Sequence, residues 1–244
     1  MIDRDAVGAC LHRLFIAADG TRLRREDEKK VDELRGFLAL LGPRVSKRAL
    51  VVDAAAGKSP LGLVAVELLG LTRLAVIERD PARAAACRDA VTRLSQRAAV
   101  DVRCGDVADD AAWPAKVDAV VALHACGAAS DAVLDAAVRR AAKWIVVAPC
   151  CYAESVPFSA RAHALVGAMG AAGHAAVRRQ LVQGLIDADR TLALEAAGYE
   201  VTVAPFVPPT VTPHHLAWIA RRTQEPRAMA AAAERRARLR GQCL

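Results

Sequence analysis

From residue 48 onward the sequence alternates short apolar runs with helical stretches, and this rhythm constrains the fold more than any other feature. Strands are expected at 49–53, 74–78, 100–104, 118–123 and 144–148, with helices at 61–69, 82–97, near 108–114 and at 130–142. Short, largely apolar runs, each joined to the next by a helix, argue for a parallel sheet covered on both faces. The fold class is therefore α/β. Upstream, residues 3–17 and 26–41 read as two amphipathic helices, the second closed by Gly42-Pro43, and together they form an N-terminal helical cover. After the fifth strand the link is longer: residues 152–180 contain Pro157, Gly167, Gly170 and Gly173 and read as a helical insert, followed by a helix at 181–197. Two last apolar segments, 199–206 and 215–221, are separated by Pro208-Pro209 and Thr212-Pro213. The 244 residues suffice for one well-cored domain. Its expected parts are a lead-in over 1–45, a main domain over 46–223 and a basic helical tail over 224–244.

Composition narrows the function classes. Seven cysteines follow a start, Met1-Ile2-Asp3-Arg4-Asp5, that lacks a signal peptide, which points to a reducing cytoplasm rather than a disulfide framework. The most apolar run, 61–77, is interrupted by Glu67 and Arg73, so no membrane span is expected. The net charge is +7, and residues 221–240 hold seven arginines against two glutamates; a second basic cluster comprises Arg22, Arg24, Arg25, Lys29 and Lys30. Such runs are either solvated helix faces or an electrostatic footprint for RNA.

The first strand runs into Asp53-Ala54-Ala55-Ala56-Gly57-Lys58-Ser59-Pro60. A P-loop would need glycine where Val52 stands, and Pro60 removes an amide where phosphates are cradled. A dinucleotide fingerprint would need glycine at 55 and 60, which are alanine and proline. Acids recur at the strand ends: Asp53 after the first, Glu78 after the second and Asp106 after the third. In an open α/β sheet ligands collect beyond the carboxyl ends of the strands, so these acids mark a ligand cleft. Asp80-Pro81 reads instead as a helix cap followed by proline at the first helical position.

This stretch resembles the first loop of the Rossmann-like, class I methyltransferases that use S-adenosylmethionine (SAM), whose pattern is Asp-x-Gly-x-Gly-x-Gly. Ala55 and Ser59 stand at the outer glycine positions and Gly57 is retained. The resemblance implies a seven-stranded, mostly parallel sheet with a reversed last strand. It implies a SAM site at Asp53, Ala54, Ala55, Gly57, Glu78, Arg79, Asp106, Val107 and His124, with Glu78 accepting from the ribose hydroxyls and Asp106 from the adenine amino group.

Strand four ends in His124-Ala125-Cys126-Gly127 and strand five in Pro149-Cys150-Cys151-Tyr152. With Lys29 or Lys30 and Glu33, these residues resemble a subgroup that includes the tRNA 2′-O-methyltransferases of the acceptor stem, over about residues 29–222. Tyr152 stands where those enzymes continue with histidines, and their cysteine-rich zinc module is missing. The resemblance and the basic termini together imply a methyltransferase acting on tRNA or rRNA, and a cytoplasmic, bacterial enzyme without stable DNA binding is expected. A metabolite methyltransferase and a SAM-binding protein without catalysis are the alternatives.

Candidate catalytic residues are His124, Cys126, Cys150, Cys151 and Tyr152. His124 reads as a general base or as a strand-end histidine bonded to a backbone carbonyl. The cysteines read as nucleophiles, as in cytosine-C5 RNA methyltransferases, or as small packing residues. No metal is expected, because adjacent ligands crowd a tetrahedral zinc and no Cys-x-x-Cys spacing occurs. Tyr152 reads as a stacking contact or an anchor for the insert, and Lys30, Tyr152, Arg178 and Arg179 as substrate-binding. Arg190 reads either as a phosphate contact or as a partner of Glu195 or Glu200, and His214 and His215 are expected to be structural.

Overall fold

A computed structural model describes residues 2–16, 24–150, 152–170 and 173–241. Helix α1 (Arg4–Leu11), extended by a π-helical turn over His12–Ile16, and α2 (Arg25–Leu41) precede the sheet. Then come β1 (Leu50–Ala54), α3 (Pro60–Leu69), β2 (Arg73–Glu78), α4 (Pro81–Val91), β3 (Ala99–Cys104), β4 (Ala119–Leu123), α5 (Ala128–Arg139) and β5 (Trp144–Ala148). The chain finishes with α6 (Ser159–Ala168), α7 (Ala175–Ala196), β6 (Tyr199–Pro205), β7 (Leu216–Arg222) and α8 (Pro226–Arg240). The seven strands lie in the order β3-β2-β1-β4-β5-β7-β6. The first five pair in parallel, and β7 enters antiparallel to both β5 and β6. This is the expected sheet with its reversed last strand. The strand order reverses between β1 and β4, where an open sheet leaves a crevice at its carboxyl edge.

Each face of the sheet has its own core. On one, Leu34, Phe37 and Leu38 of α2 and Leu63 and Val66 of α3 pack with Val51, Val76 and Val121 of the strands. On the other, Val133 and Ala137 of α5 and Leu194 of α7 pack on Val52, Val120 and Val147. Alternating strand side chains thus feed opposite cores. The N-terminal helices share the first core with the sheet. Gly36 lets α2 lie directly on the link after β6, where a Cβ would come 1.8 Å from the Phe206 carbonyl oxygen. The insert has a third, smaller core of Val156, Phe158, Ala162, Val166, Val182 and Ile186.

Several boundaries differ from expectation. Helix α4 stops at Val91 rather than near 97, because Glu67 binds the Ser95 amide and hydroxyl while Arg93 donates to the Leu14 carbonyl, drawing the chain off the helix axis. The short helix near 108–114 is a single 3₁₀ turn over Asp110–Ala112. Helix α7 begins at Ala175, so the insert is α6 plus the first turns of α7. The basic tail is a docked helix: Arg236 and Arg240 of α8 both pair with Asp189 of α7, whose carboxylate is 6% exposed, and Ala232 is buried. Burial alone would raise Asp189, but hydrogen bonds from Arg240 and Arg236 hold it below the ordinary carboxylate range. Among the described residues, no helix is long and apolar enough to cross a membrane.

Candidate active site

The loop after β1 bends through three left-handed residues, Ala55 (φ 53°), Gly57 (φ 61°) and Ser59 (φ 55°). These are the three glycine positions of the resembled pattern, so alanine and serine adopt what glycine would adopt without strain. Left-handed backbone costs about 1–2 kcal/mol for a residue with a Cβ. At Ser59 that cost is offset locally, since its hydroxyl donates to Asp53 Oδ2 at 2.6 Å, and the Gly62 amide donates to the same oxygen at 2.9 Å. Asp53 is 2% exposed, so its carboxylate braces the turn into α3 from behind.

Burial drives the Asp53 carboxyl up to about 7, against the pull of the Ser59 and Gly62 hydrogen bonds. A carboxyl raised on folding contributes stability that is complete below its unfolded value, near 4, and gone once the pH passes its folded value. Asp53→Asn keeps an acceptor for Ser59 and Gly62 but cannot ionise. Urea unfolding is expected to show the variant gaining on the wild type as the pH rises from about 4 to about 7.5. Parallel stability curves would contradict the assignment.

Glu78, at the end of β2, is buried, and its two oxygens accept from the Gly57 amide (2.7 Å) and the Asp80 amide (2.8 Å). Asp80 itself caps α4 through the Ala82 and Arg83 amides, as its sequence context requires. Glu78, Arg79, Asp106, Val107, His124 and Cys126 line one cleft of about 130 Å³ at the carboxyl edge, with Ala55 contributed by the β1 loop. Asp53, Ala54 and Gly57 are not among its lining residues, the first two being buried. Asp106 accepts from the Ala108 amide through Oδ1 and leaves Oδ2 4.0 Å from Arg79. Arg83, Gly105 and Ala129 also line the cleft and escaped sequence reasoning. Arg83 had a usable signal, since it sits in the first turn of the helix that Asp80 caps.

His124 directly follows β4 in the left-handed region (φ 67°), with its amide bonded to the Ala148 carbonyl of the neighbouring strand. Its Nε2 lies 2.9 Å from Glu33 Oε2, an oxygen that Lys30 Nζ also reaches at 2.5 Å. Burial would raise Glu33, but hydrogen bonds from His124 and Lys30 outweigh it and hold the carboxyl below its ordinary value. Lys30, expected to touch substrate, is thus engaged with Glu33.

Cys126 Sγ lies 2.9 Å from Cys150 Sγ. Cys126 lines the first cleft and Cys150 a second, of about 870 Å³, shared with Tyr152, His163, Arg178, Arg179 and His214. The thiol contact marks the boundary between the two clefts. Cys151 lies outside the described residues. The Tyr152 hydroxyl donates to Asp187 at 2.9 Å, and its ring lies between Arg190 and His214, with Arg190 Cζ 5.5 Å and the His214 ring 6.0 Å from its centre. That geometry favours the anchor reading of Tyr152. Burial, with Asp187 opposite, raises the phenol, and burial likewise raises Asp187 to about 6.

Arg190 does not pair with Glu195 or Glu200. It lies in the middle of α7, 2% exposed, and makes a two-pronged bond to Asp131 of α5 at 3.1 and 2.8 Å, with Asp187 at 3.7 Å. Sequence reasoning missed both acids, although Asp187 stands one turn before Arg190 on the same helix. Burial, with the charges of His124 and His215, lowers His214 below the ordinary histidine value.

A family model described as a methyltransferase domain matches residues 28–156. The chain belongs to this methyltransferase-domain family. The matched span carries Lys30, Glu33, the β1 loop, Glu78, Asp106, His124, Cys126, Cys150 and Tyr152, while Arg178, Arg179 and His214 lie beyond it. No curated protein matches the chain. Among solved structures, the methyltransferase is similar to a precorrin-6y C5,15-methyltransferase from Geobacter metallireducens (19% identity, TM-score 0.44, covering 78% of this chain and 88% of that one). It is also similar to a protein of the NADB-Rossmann superfamily from Streptococcus agalactiae (11%, 0.48, 84% and 71%). A third is the fibrillarin pre-rRNA processing protein of Methanococcus jannaschii (11%, 0.47, 75% and 70%).

Proposed function

We propose that this methyltransferase uses SAM and methylates RNA, with a ribose 2′-hydroxyl as the favoured acceptor and membership of the His-x-Cys-Gly and Cys-Cys subgroup. The observation that carries the reading is Glu78, a buried carboxylate that organises the β1 loop through Gly57 while lining the cleft at the switch point of the sheet. The residues present fit the cofactor. Glu78 offers acceptor lone pairs suited to ribose hydroxyls, Asp106 and Val107 line the same cleft and would take the adenine, and the β1 loop is left-handed at Ala55, Gly57 and Ser59, the positions of the glycine pattern. When bound, SAM supplies a methyl group on a sulfonium sulfur.

The chain's own contribution is positioning and proton handling. His124 lines the cofactor cleft and serves as the base for a hydroxyl acceptor. The second cleft receives the acceptor, with Arg178 and Arg179 supplying charge for phosphate. The net charge of +7 supports an anionic partner. The tail is a weaker RNA element than the sequence suggests, because Arg236 and Arg240 are committed to Asp189. A metabolite acceptor has one observation in its favour, the wall that the insert raises around the second cleft.

Labelled methyl transfer from SAM to total RNA, protein and small-molecule extracts in parallel tests the reading. Label is expected in RNA, at sites resistant to alkaline hydrolysis, and Arg178→Glu/Arg179→Glu is expected to weaken tRNA retention and flatten its salt dependence. Label confined to the small-molecule fraction would establish the metabolite reading instead.

A further inference from the structure

We propose that Glu33, braced by Lys30, is a positioning residue that keeps the proton of His124 on Nε2 and leaves Nδ1 as the nitrogen open to accept one. The proposal rests on the reading of His124 as the base and adds the residue that sets its tautomer.

The first observation is the bond itself. Glu33 comes from α2, 91 residues before His124, and its side chain is 9% exposed. An ionised carboxylate only accepts hydrogen bonds, so the ring nitrogen facing it at 2.9 Å carries the proton. In the neutral imidazole the lone pair then belongs to Nδ1. No hydrogen bond from the described residues reaches Nδ1, and His124 is among the residues lining the proposed cofactor cleft. A hydroxyl proton arriving at Nδ1 would turn His124 into an imidazolium whose charge Glu33 faces directly, as a carboxylate does behind a catalytic histidine.

The second observation is backbone strain. A left-handed histidine costs about 1–2 kcal/mol and persists only where its surroundings over-determine it. Here the amide is tied to the Ala148 carbonyl and the ring to Glu33. Stability alone is a poor reason for the arrangement. Burying a carboxylate beside a lysine and a histidine recovers little over an apolar contact of the same size, and α2 is already fixed by Leu34, Phe37 and Leu38. Lys30 binds the same Oε2, so the carboxylate charge is shared between an ammonium and the imidazole N–H. Among the described residues, other titratable or charged groups near His124 include His214, from the link between β6 and β7, and the thiol of Cys126, which lies 3.4 Å from the His124 carbonyl oxygen, and Glu78, Arg79, Arg83 and Asp106 line the same cleft.

Long-range ¹H–¹⁵N correlation spectra of the full chain, labelled at histidine nitrogen and assigned with His124→Asn, read the tautomer without any acceptor. Wild type at neutral pH is expected to show His124 protonated on Nε2, with an exchange-protected N–H proton that disappears in Glu33→Ala. SAM affinity by calorimetry is expected to stay within about threefold, since Glu33 does not line the cleft, while methyl transfer to total tRNA falls about 10²-fold. His124 protonated on Nδ1 in the wild type would overturn the proposal with no variant needed. An unchanged N–H signal in Glu33→Ala would overturn it too. Absence of SAM binding to the wild type would refute the cofactor reading and leave the tautomer result standing.

Discussion

Replacing Glu78 with alanine is expected to weaken SAM binding by about 100-fold or more, measured calorimetrically on the full chain. Two losses combine. The direct one is a carboxylate acceptor for the ribose hydroxyls; hydrogen bonds to a charged group contribute about 1.5–3 kcal/mol each, and about 2.7 kcal/mol already corresponds to 100-fold. The indirect one is the β1 loop, because the Gly57 and Asp80 amides both lose their partner and the left-handed bends at Ala55 and Gly57 lose their brace. Glu78→Gln keeps the volume and one acceptor oxygen and is expected to lie between the two, near tenfold. Asp53→Asn, whose side chain does not line the cleft, is expected to bind almost as the wild type does. A Glu78→Ala protein that bound SAM within about threefold of the wild type would refute the cofactor site.

The largest stability loss is expected for Arg190→Ala, about 3–5 kcal/mol, because removing one partner of a buried ion pair leaves the other charge uncompensated. Asp131 loses both of its bonds, Asp187 its neighbouring cation, and the Tyr152 ring the guanidinium packed on it. For a chain of this size each kcal/mol moves the melting temperature by roughly 2–4 °C, so a fall on the order of 10 °C is expected. The pH dependence gives the prediction a second handle. Asp187 is already raised to about 6 by burial, and without Arg190 it rises further. Its charge is then a cost at pH 8 that protonation relieves at pH 5, so the loss is expected to shrink as the pH falls. A variant equally destabilised at both pH values would show that lost packing, not the orphaned carboxylates, sets the penalty. The network also holds Tyr152 at the rim of the second cleft, which couples this buried cluster to the side proposed to receive the acceptor.

What the sequence determined by itself was local. Apolar runs of strand length separated by helical periods set seven strands and their flanking helices, and Asp80-Pro81 and Gly42-Pro43 marked a helix start and stop within a residue of where they occur. The acids at the ends of β1 and β2 and the turn after β3 were legible for the same reason, since position along a strand dictates which end a side chain occupies. Only the tertiary structure decided which of them face the cleft: Glu78 and Asp106 line it, whereas Asp53 turns back to Ser59 and Gly62. It likewise gave Arg190 to Asp131, tied the Tyr152 hydroxyl to Asp187, docked the tail through Asp189 and brought Glu33 to His124. Those pairings join residues from separate elements or from opposite ends of the chain. Spacing along a helix or strand fixes which face a side chain occupies, but which charge meets it there is set only when the elements pack.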